Sequence, residues 1–164
     1  ERISNLIVNK LFGNISEKKI TILGFAFKAN TNDTRNSSSI DICKDLLEEG
    51  ALLSIYDPKV EAKQIRKDLG SNMQNHEKGE YIICQTIEEA TLESHAIIIL
   101  TEWDEFRKIN WNEVSTKMNK PSWLFDTRFC TCRSEVENAG FNYWQWCKDH
   151  PDSTEAGTYG NKVS

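Results

Sequence analysis

The chain alternates short apolar runs with stretches of helical periodicity, and this alternation limits its folds more than any other feature. Lys19-Ile20-Thr21-Ile22-Leu23-Gly24 reads as a buried strand, too short for a helix and bounded by a glycine. A polar loop, Lys28 to Asn36, follows. Ser37-Ser38-Ser39 then offers N-cap hydroxyls to a helix with Ile40, Cys43, Leu46 and Leu47 on one face. Gly50 stands where a C′ glycine would end that helix. Leu52 to Tyr56 forms a second strand, stopped by Asp57-Pro58. A strand–helix–strand unit of this kind is expected to be parallel and right-handed. The rhythm continues with a helix over Val60–Leu69, a polar stretch over Gly70–Gly79, a short strand at Tyr81–Cys84 and one or two helical turns at Ile87–Thr91. Ala96 to Leu100 is the clearest central strand, a continuous aliphatic run. A helix begins at Phe106–Ile109, Trp123-Leu124-Phe125 is a strand ending at Asp126, Arg133–Ala139 is a helix closed by Gly140, and Phe141–Trp144 is an edge strand. These elements predict an α/β fold, a Rossmann-like doubly wound and mostly parallel sheet in three αβα layers.

The 164 residues suit one domain with an ordinary core. In residues 1–17, Ile3, Leu6, Ile7 and Leu11 share one side of an amphipathic helix, expected to be the end of a longer helix cut at Glu1. Residues 18–147 form the domain, and 148–164 are expected to be a loose polar tail. Without an initiator Met, the chain reads as a fragment or a processed product. A formal charge of -5, with acids scattered among lysines, argues against a nucleic-acid partner. No apolar run nears the roughly 20 residues that cross a bilayer, so no membrane partner is expected. The five cysteines are odd in number and lack a framework spacing, so they read as reduced thiols of a cytoplasmic protein. Cys130-x-Cys132 lacks the CxxC-type partners and nearby histidines of a zinc site, and no metal is expected.

Ligands of open α/β sheets bind beyond the carboxyl ends of the strands, so the chemistry should follow strand ends. After the first strand, Lys28, Asp33 and Arg35 fall within eight positions beside a helix N-terminus. Two fixed cations and free backbone N–H groups favour an anion such as a diphosphate. The bland alternative is a solvated loop with a surface ion pair to Asp33. Thr101-Glu102-Trp103 follows the fourth strand, with Trp103 read as a core or interface aromatic. Asp126-Thr127-Arg128 follows the fifth, with Asp126 as the bland partner of Arg128. The dinucleotide fingerprint GxGxxG fails, since positions 24, 26 and 29 are Gly, Ala and Ala. An autonomous NAD site is therefore not expected.

Several of these motifs together resemble a known family. Ile22-Leu23-Gly24-Phe25-Ala26-Phe27-Lys28 with Thr31-x-Asp33-x-Arg35-x-Ser37-Ser38-Ser39, then Ile55-Tyr56-Asp57-Pro58, then Thr101-Glu102-Trp103-x-x-Phe106, then Phe125-Asp126-x-Arg128, are similar to the C-terminal domain of the UDP-glucose/GDP-mannose dehydrogenase family. The blocks keep the family's order over roughly Lys18 to Arg128, and the serine run and the IYDPKV segment look most like members acting on UDP-glucose. The resemblance implies an oxidoreductase that oxidises C6 of UDP-glucose twice, to UDP-glucuronate, reducing two NAD. It implies NAD bound mainly by a separate N-terminal domain, and a homodimer or higher homo-oligomer. By motif position, Phe27 and Lys28 match residues contacting the nucleotide sugar, Arg35 matches an arginine reaching NAD, and Arg128 matches a substrate arginine serving a neighbouring subunit. The family's nucleophilic cysteine sits in a GGxCxxKD-like segment, and none of the five cysteines here does. No catalytic residue is therefore assigned, and these residues alone are not expected to turn over.

Thr127 departs from the family, which usually has Gly between that Asp and Arg. If the position needed a positive φ, a β-branched residue would be strained and would re-aim Arg128. Within the family, a GDP-mannose or UDP-N-acetylhexosamine dehydrogenase is the rival reading. Outside it stand a receiver-like signalling module with Asp57 as phosphoacceptor, and an assembly module that kept the fold and lost the chemistry. The receiver reading lacks an acidic pair after the first strand, where Gly24-Phe25 stands, and has Arg128 where a lysine is wanted.

Overall fold

The computed structural model describes residues 2–11, 13–70 and 78–146. Its elements are α1 (Ile3–Lys10), β1 (Lys19–Leu23), α2 (Ser38–Glu48), β2 (Leu52–Tyr56), α3 (Ala62–Leu69), β3 (Glu80–Ile83), α4 (Ile87–Thr91), β4 (Ala96–Ile99), a 3-10 helix (Asp104–Lys108), α5 (Trp111–Thr116), β5 (Trp123–Asp126), α6 (Arg133–Asn138) and β6 (Asn142–Gln145). The strands form a six-stranded sheet in the order β3-β2-β1-β4-β5-β6. Each neighbouring pair is parallel. This is the doubly wound order, in which the chain reverses its winding between β1 and β4.

Burial explains why the central strands read as continuous apolar runs. Ala96 to Ile99 and Ile20 to Leu23 are fully buried, because helices cover both faces of a parallel sheet. The register brings Tyr56, Leu23, Ile99 and Asp126 into one row across four strands. Whatever follows these residues therefore stands on one edge of the sheet.

Local chemistry sets the helix ends. Ser37 caps α2, its hydroxyl oxygen accepting from the Ser39 N–H. At the other end the Gly50 N–H donates to Leu47 O and the Ala51 N–H to Leu46 O, with Gly50 at φ 87°, the paired bonds of a Schellman closure. Gly140 closes α6 the same way, at φ 99°.

Two regions differ from the sequence reading. The turn at Asp104–Lys108 is 3-10 and stops there, and a separate helix, α5, starts at Trp111. The Asn110 side chain caps it by accepting from the Glu113 N–H, at 3.3 Å. The amphipathic segment at the N-terminus is helical only over Ile3–Lys10, and its apolar side faces inward: Ile7 and Leu11 are buried in this chain's own core. Ser4 Oγ donates to Asp45 of α2 at 2.9 Å, fastening that packing. The tail at 148–164 and Cys147 lie outside the described residues. Among the described residues, no helix is long and apolar enough to cross a membrane.

Candidate functional site

The site is built where β1 and β4 end side by side. A Cβ on Gly24, whose φ is 96°, would lie 2.4 Å from Thr101 Cβ and 2.7 Å from the Thr101 N. Only a glycine lets the β1 exit pass this close to the β4 exit. Thr101 Oγ1 then donates to Ala26 O at 2.8 Å, and Ser39 Oγ to Gly24 O at 3.2 Å. The segment leading to Phe27 and Lys28 is thus pinned from two sides.

Asp57, at the end of β2, is the knot beneath it. Its Oδ2 accepts from the N–H groups of Phe25 (2.8 Å) and Ala26 (3.0 Å) and from Trp103 Nε1 (3.1 Å). Its Oδ1 accepts from the N–H groups of Lys59 and Val60. Two conclusions follow. The β1–α2 turn has no spare N–H at Phe25 or Ala26 with which to cradle a pyrophosphate in the manner of a dinucleotide-binding turn, so the turn does not fit NAD. And Asp57 is a structural acceptor engaged by five donors, unlike an open phosphoacceptor. Trp103 is a core aromatic, as expected, with its ring N–H satisfied by that carboxylate.

Beyond the knot, Phe27 N–H donates to Asp33 O at 2.7 Å, closing the loop that carries the expected ligand residues. Phe27 is 45% exposed, and Lys28 is exposed with no hydrogen bond or ion pair among the described residues. Arg35 differs. Its Nε and Nη2 donate to the two oxygens of Asp33, which also accepts from the Arg35 N–H. That guanidinium holds the Asp33 carboxyl down at about 2. The surface ion pair considered from the sequence is therefore present for Arg35 and absent for Lys28. Asn32 to Arg35, with Glu61, Lys63 and Gln64, line a hollow of about 370 Å³.

Arg128 stands on the other side of the β4 end. Its N–H donates to Asp126 Oδ1 at 2.9 Å and its Nε to Leu100 O at 3.0 Å, while Nη1 lies 3.5 Å from Glu102 Oε2. The side-chain partner is thus Glu102, where the sequence suggested Asp126. Asp126 is fully buried and engaged elsewhere, its Oδ2 accepting from Thr131 N, Thr131 Oγ1 and Gln145 Nε2. The feared strain at Thr127 is not there: Thr127 is not among the positive-φ residues, and Phe129 is, at φ 58°. Thr127 Oγ1 donates to Ile99 O at 2.6 Å, a stitch that a glycine could not make. Arg128, Glu102, Thr127, Phe129, Arg107 and Trp146 form one wall of a cavity of about 570 Å³, with Leu100 and α1 and α2 side chains completing it.

Sequence reasoning picked out Thr101-Glu102-Trp103 as a strand-end segment but gave Glu102 no role. It lies between both arms: Oε1 accepts a long bond from the Ala29 N–H, 3.4 Å, and Oε2 faces Arg128.

The described cysteines are unpaired. Burial pushes the Cys130 thiol up to about 12 and raises Cys43 as well. Cys132 is exposed, and its hydrogen bond with the Ser134 hydroxyl lowers it. Among the described residues no cluster of three or more His, Cys, Asp or Glu side chains could hold a metal.

The fold is a doubly wound parallel sheet with the exposed Lys28 beyond β1 and the half-buried Arg128 beyond β5, on either side of the β4 end. The comparisons make this specific. The model of the UDP-glucose/GDP-mannose dehydrogenase family, UDP binding domain, matches residues 21–133, and the chain belongs to that family. UDP-glucose 6-dehydrogenase 3 of Arabidopsis thaliana is 38% identical across 92% of this chain and 35% of its own length. UDP-glucose 6-dehydrogenase of Drosophila melanogaster is 42% identical across 86% of this chain and 30% of its own. The chain thus spans about a third of the length of the relatives it matches. A UDP-glucose dehydrogenase structure from Pyrobaculum islandicum shares the fold at TM-score 0.61 and 19% identity, over 85% of this chain and 29% of that one.

Proposed function

We propose that this chain is the UDP-sugar-binding part of a UDP-glucose 6-dehydrogenase, an NAD-dependent oxidoreductase that converts UDP-glucose to UDP-glucuronate with two NAD. The observation that carries the reading is the pairing of a free Lys28 with a tethered Arg128 on either side of the β4 end, within a family-matched UDP binding domain. In this reading Lys28 and Arg128 of the same chain meet one diphosphate, in place of the neighbouring-subunit role that the resemblance implies for Arg128; Phe27 packs beside the sugar nucleotide, and Arg35 presents the outward side of its guanidinium to NAD. Charge-assisted hydrogen bonds to phosphate oxygens suit both side chains. NAD, when bound, accepts the hydride. The β1–α2 turn of this chain does not fit it, so the main NAD site belongs to another domain, and Arg35 adds one cation at its edge. The oxidised carbon needs a nucleophilic thiol, and in this reading another part of the intact protein supplies it: none of the five cysteines here stands in the family's GGxCxxKD-like segment, and Cys43, Cys84 and Cys130 are buried. The 164 residues alone accordingly should not reduce NAD.

The reading includes a cytoplasmic location and a homodimer or higher oligomer. Because the apolar side of α1 is used within this chain, a subunit contact would draw on other surfaces. Domain limits of 1–17, 18–147 and 148–164 belong to the same proposal. The two sequence relatives named above, at 38% and 42% identity, both carry UDP-glucose in their names, which supports that sugar over GDP-mannose or a UDP-N-acetylhexosamine. Comparing kcat/KM of the intact protein on the three sugars tests this. UDP-glucose should lead by at least about tenfold, on the order of 1.4 kcal/mol, and a lead for either rival would move the chain to another branch.

A further inference from the structure

We propose that Glu102 is a positioning residue that holds the Phe27–Lys28 segment and Arg128 at a fixed separation from one carboxylate. The inference rests on the reading above, in which those residues bind the UDP sugar. Three carboxylates lie under the site, and two of them serve one arm each. Asp57 gathers the Phe25–Ala26 backbone, and Asp126 gathers Arg128 N–H, Thr131 and Gln145. Glu102 alone touches both arms, through Ala29 N–H at 3.4 Å and Arg128 Nη1 at 3.5 Å. Its Oε2 is shielded from solvent and has no hydrogen-bond partner among the described residues, so the nearby guanidinium is what compensates its charge there. Arg128 is locked in turn, because Nε is committed to Leu100 O. Thr101, immediately before Glu102, is fully buried and bonded to Ala26 O, which fixes the backbone from which the carboxylate projects.

The position makes opposite predictions for two roles. A carboxylate beside a diphosphate site repels the ligand, so on charge alone Glu102→Gln would tighten UDP binding. A positioning carboxylate predicts the reverse, since Gln keeps the size and loses the charge that holds Arg128.

The test is calorimetric titration of the intact protein with UDP, for wild type, Lys28→Ala, Arg128→Ala, Glu102→Gln and the double variants. We expect Glu102→Gln to weaken UDP by about fivefold or more, within the range of coupled neighbours, and to cost less than about twofold further once Arg128 is already Ala. Glu102→Asp, which keeps the charge and withdraws the carboxylate by one methylene, should also weaken UDP and serves if the Gln variant folds poorly. If Lys28→Ala and Arg128→Ala each weaken UDP while Glu102→Gln leaves it unchanged or tighter, the positioning role is overturned and the binding reading stands. If neither cation matters for UDP, the binding reading fails and the positioning role falls with it.

Discussion

Lys28 and Arg128 flank the same strand end and are held in opposite ways. Lys28 projects from a loop whose backbone is stitched down at Gly24, Ala26 and Phe27, yet its own side chain is exposed and without a partner among the described residues. Arg128 has its backbone N–H on Asp126, its Nε on Leu100 O and its Nη1 facing Glu102. The difference teaches where the order of the site resides. On the Lys28 side it lies in the backbone and leaves the cation free to close on a ligand. On the Arg128 side it lies in the side chain, so the guanidinium is placed before any ligand arrives.

The largest way to break the comparison is to remove the stitching. Gly24→Ala would drive a Cβ to 2.4 Å from Thr101 and force an L-residue to φ 96°. We expect a loss of about 2–5 kcal/mol of stability from strain and overpacking together, read as a marked fall in Tm; a wild-type Tm would show that the strand ends can part freely. Next is the knot below Lys28. Asp57→Asn replaces one acceptor oxygen by a donor facing N–H groups, which should cost roughly 2–3 kcal/mol, measured by urea unfolding. A variant of wild-type stability would mean that those five bonds are dispensable.

Thr127→Gly sharpens the Arg128 side. It loses the hydroxyl bond to Ile99 O and gains chain entropy in the unfolded state, for about 1–2 kcal/mol of destabilisation by thermal melting. If instead the glycine stabilised the fold, the position would be strained after all. The smallest effect concerns Asp33. Its folded-state carboxyl is held at about 2 by the Arg35 guanidinium, against an ordinary value of 3.8. The ion pair with Arg35 therefore contributes fully above the unfolded value and is lost as pH falls through the folded one. An NMR titration of the Asp33 carboxyl should give a midpoint near 2, returning toward 3.8 in Arg35→Ala; the same midpoint in both would remove the pairing.

Much of this was legible from residue order. Runs such as Ala96–Ile99 announce buried parallel strands because covered sheets have no polar face. Glycines at 50 and 140 announce helix ends, and the cations at 28, 35 and 128 announce strand-end chemistry. What stayed hidden required knowing who faces whom. No role for Glu102 shows until β4 is placed between β1 and β5, which brings Ala29 and Arg128 to it. Asp57 reads as a strand stop beside proline, and only the fold shows five donors converging on it. The strain expected at Thr127 came from the family's usual glycine, and the backbone here places its positive φ two residues later, at Phe129. The helix at Trp111 was written in Asn110-x-x-Glu113, a start signal that the neighbouring aromatic and charged residues obscured.

The central claim is that Lys28 meets the nucleotide sugar. Its exposure in this structure sets the scale, since a solvated lysine gaining a charge-assisted bond contributes about 1.5–3 kcal/mol. The direct measurement is kcat/KM for UDP-glucose in the intact protein bearing Lys28→Ala. A fall of roughly ten- to hundredfold with an unchanged Tm is the expected result; a kcat/KM equal to wild type would contradict it.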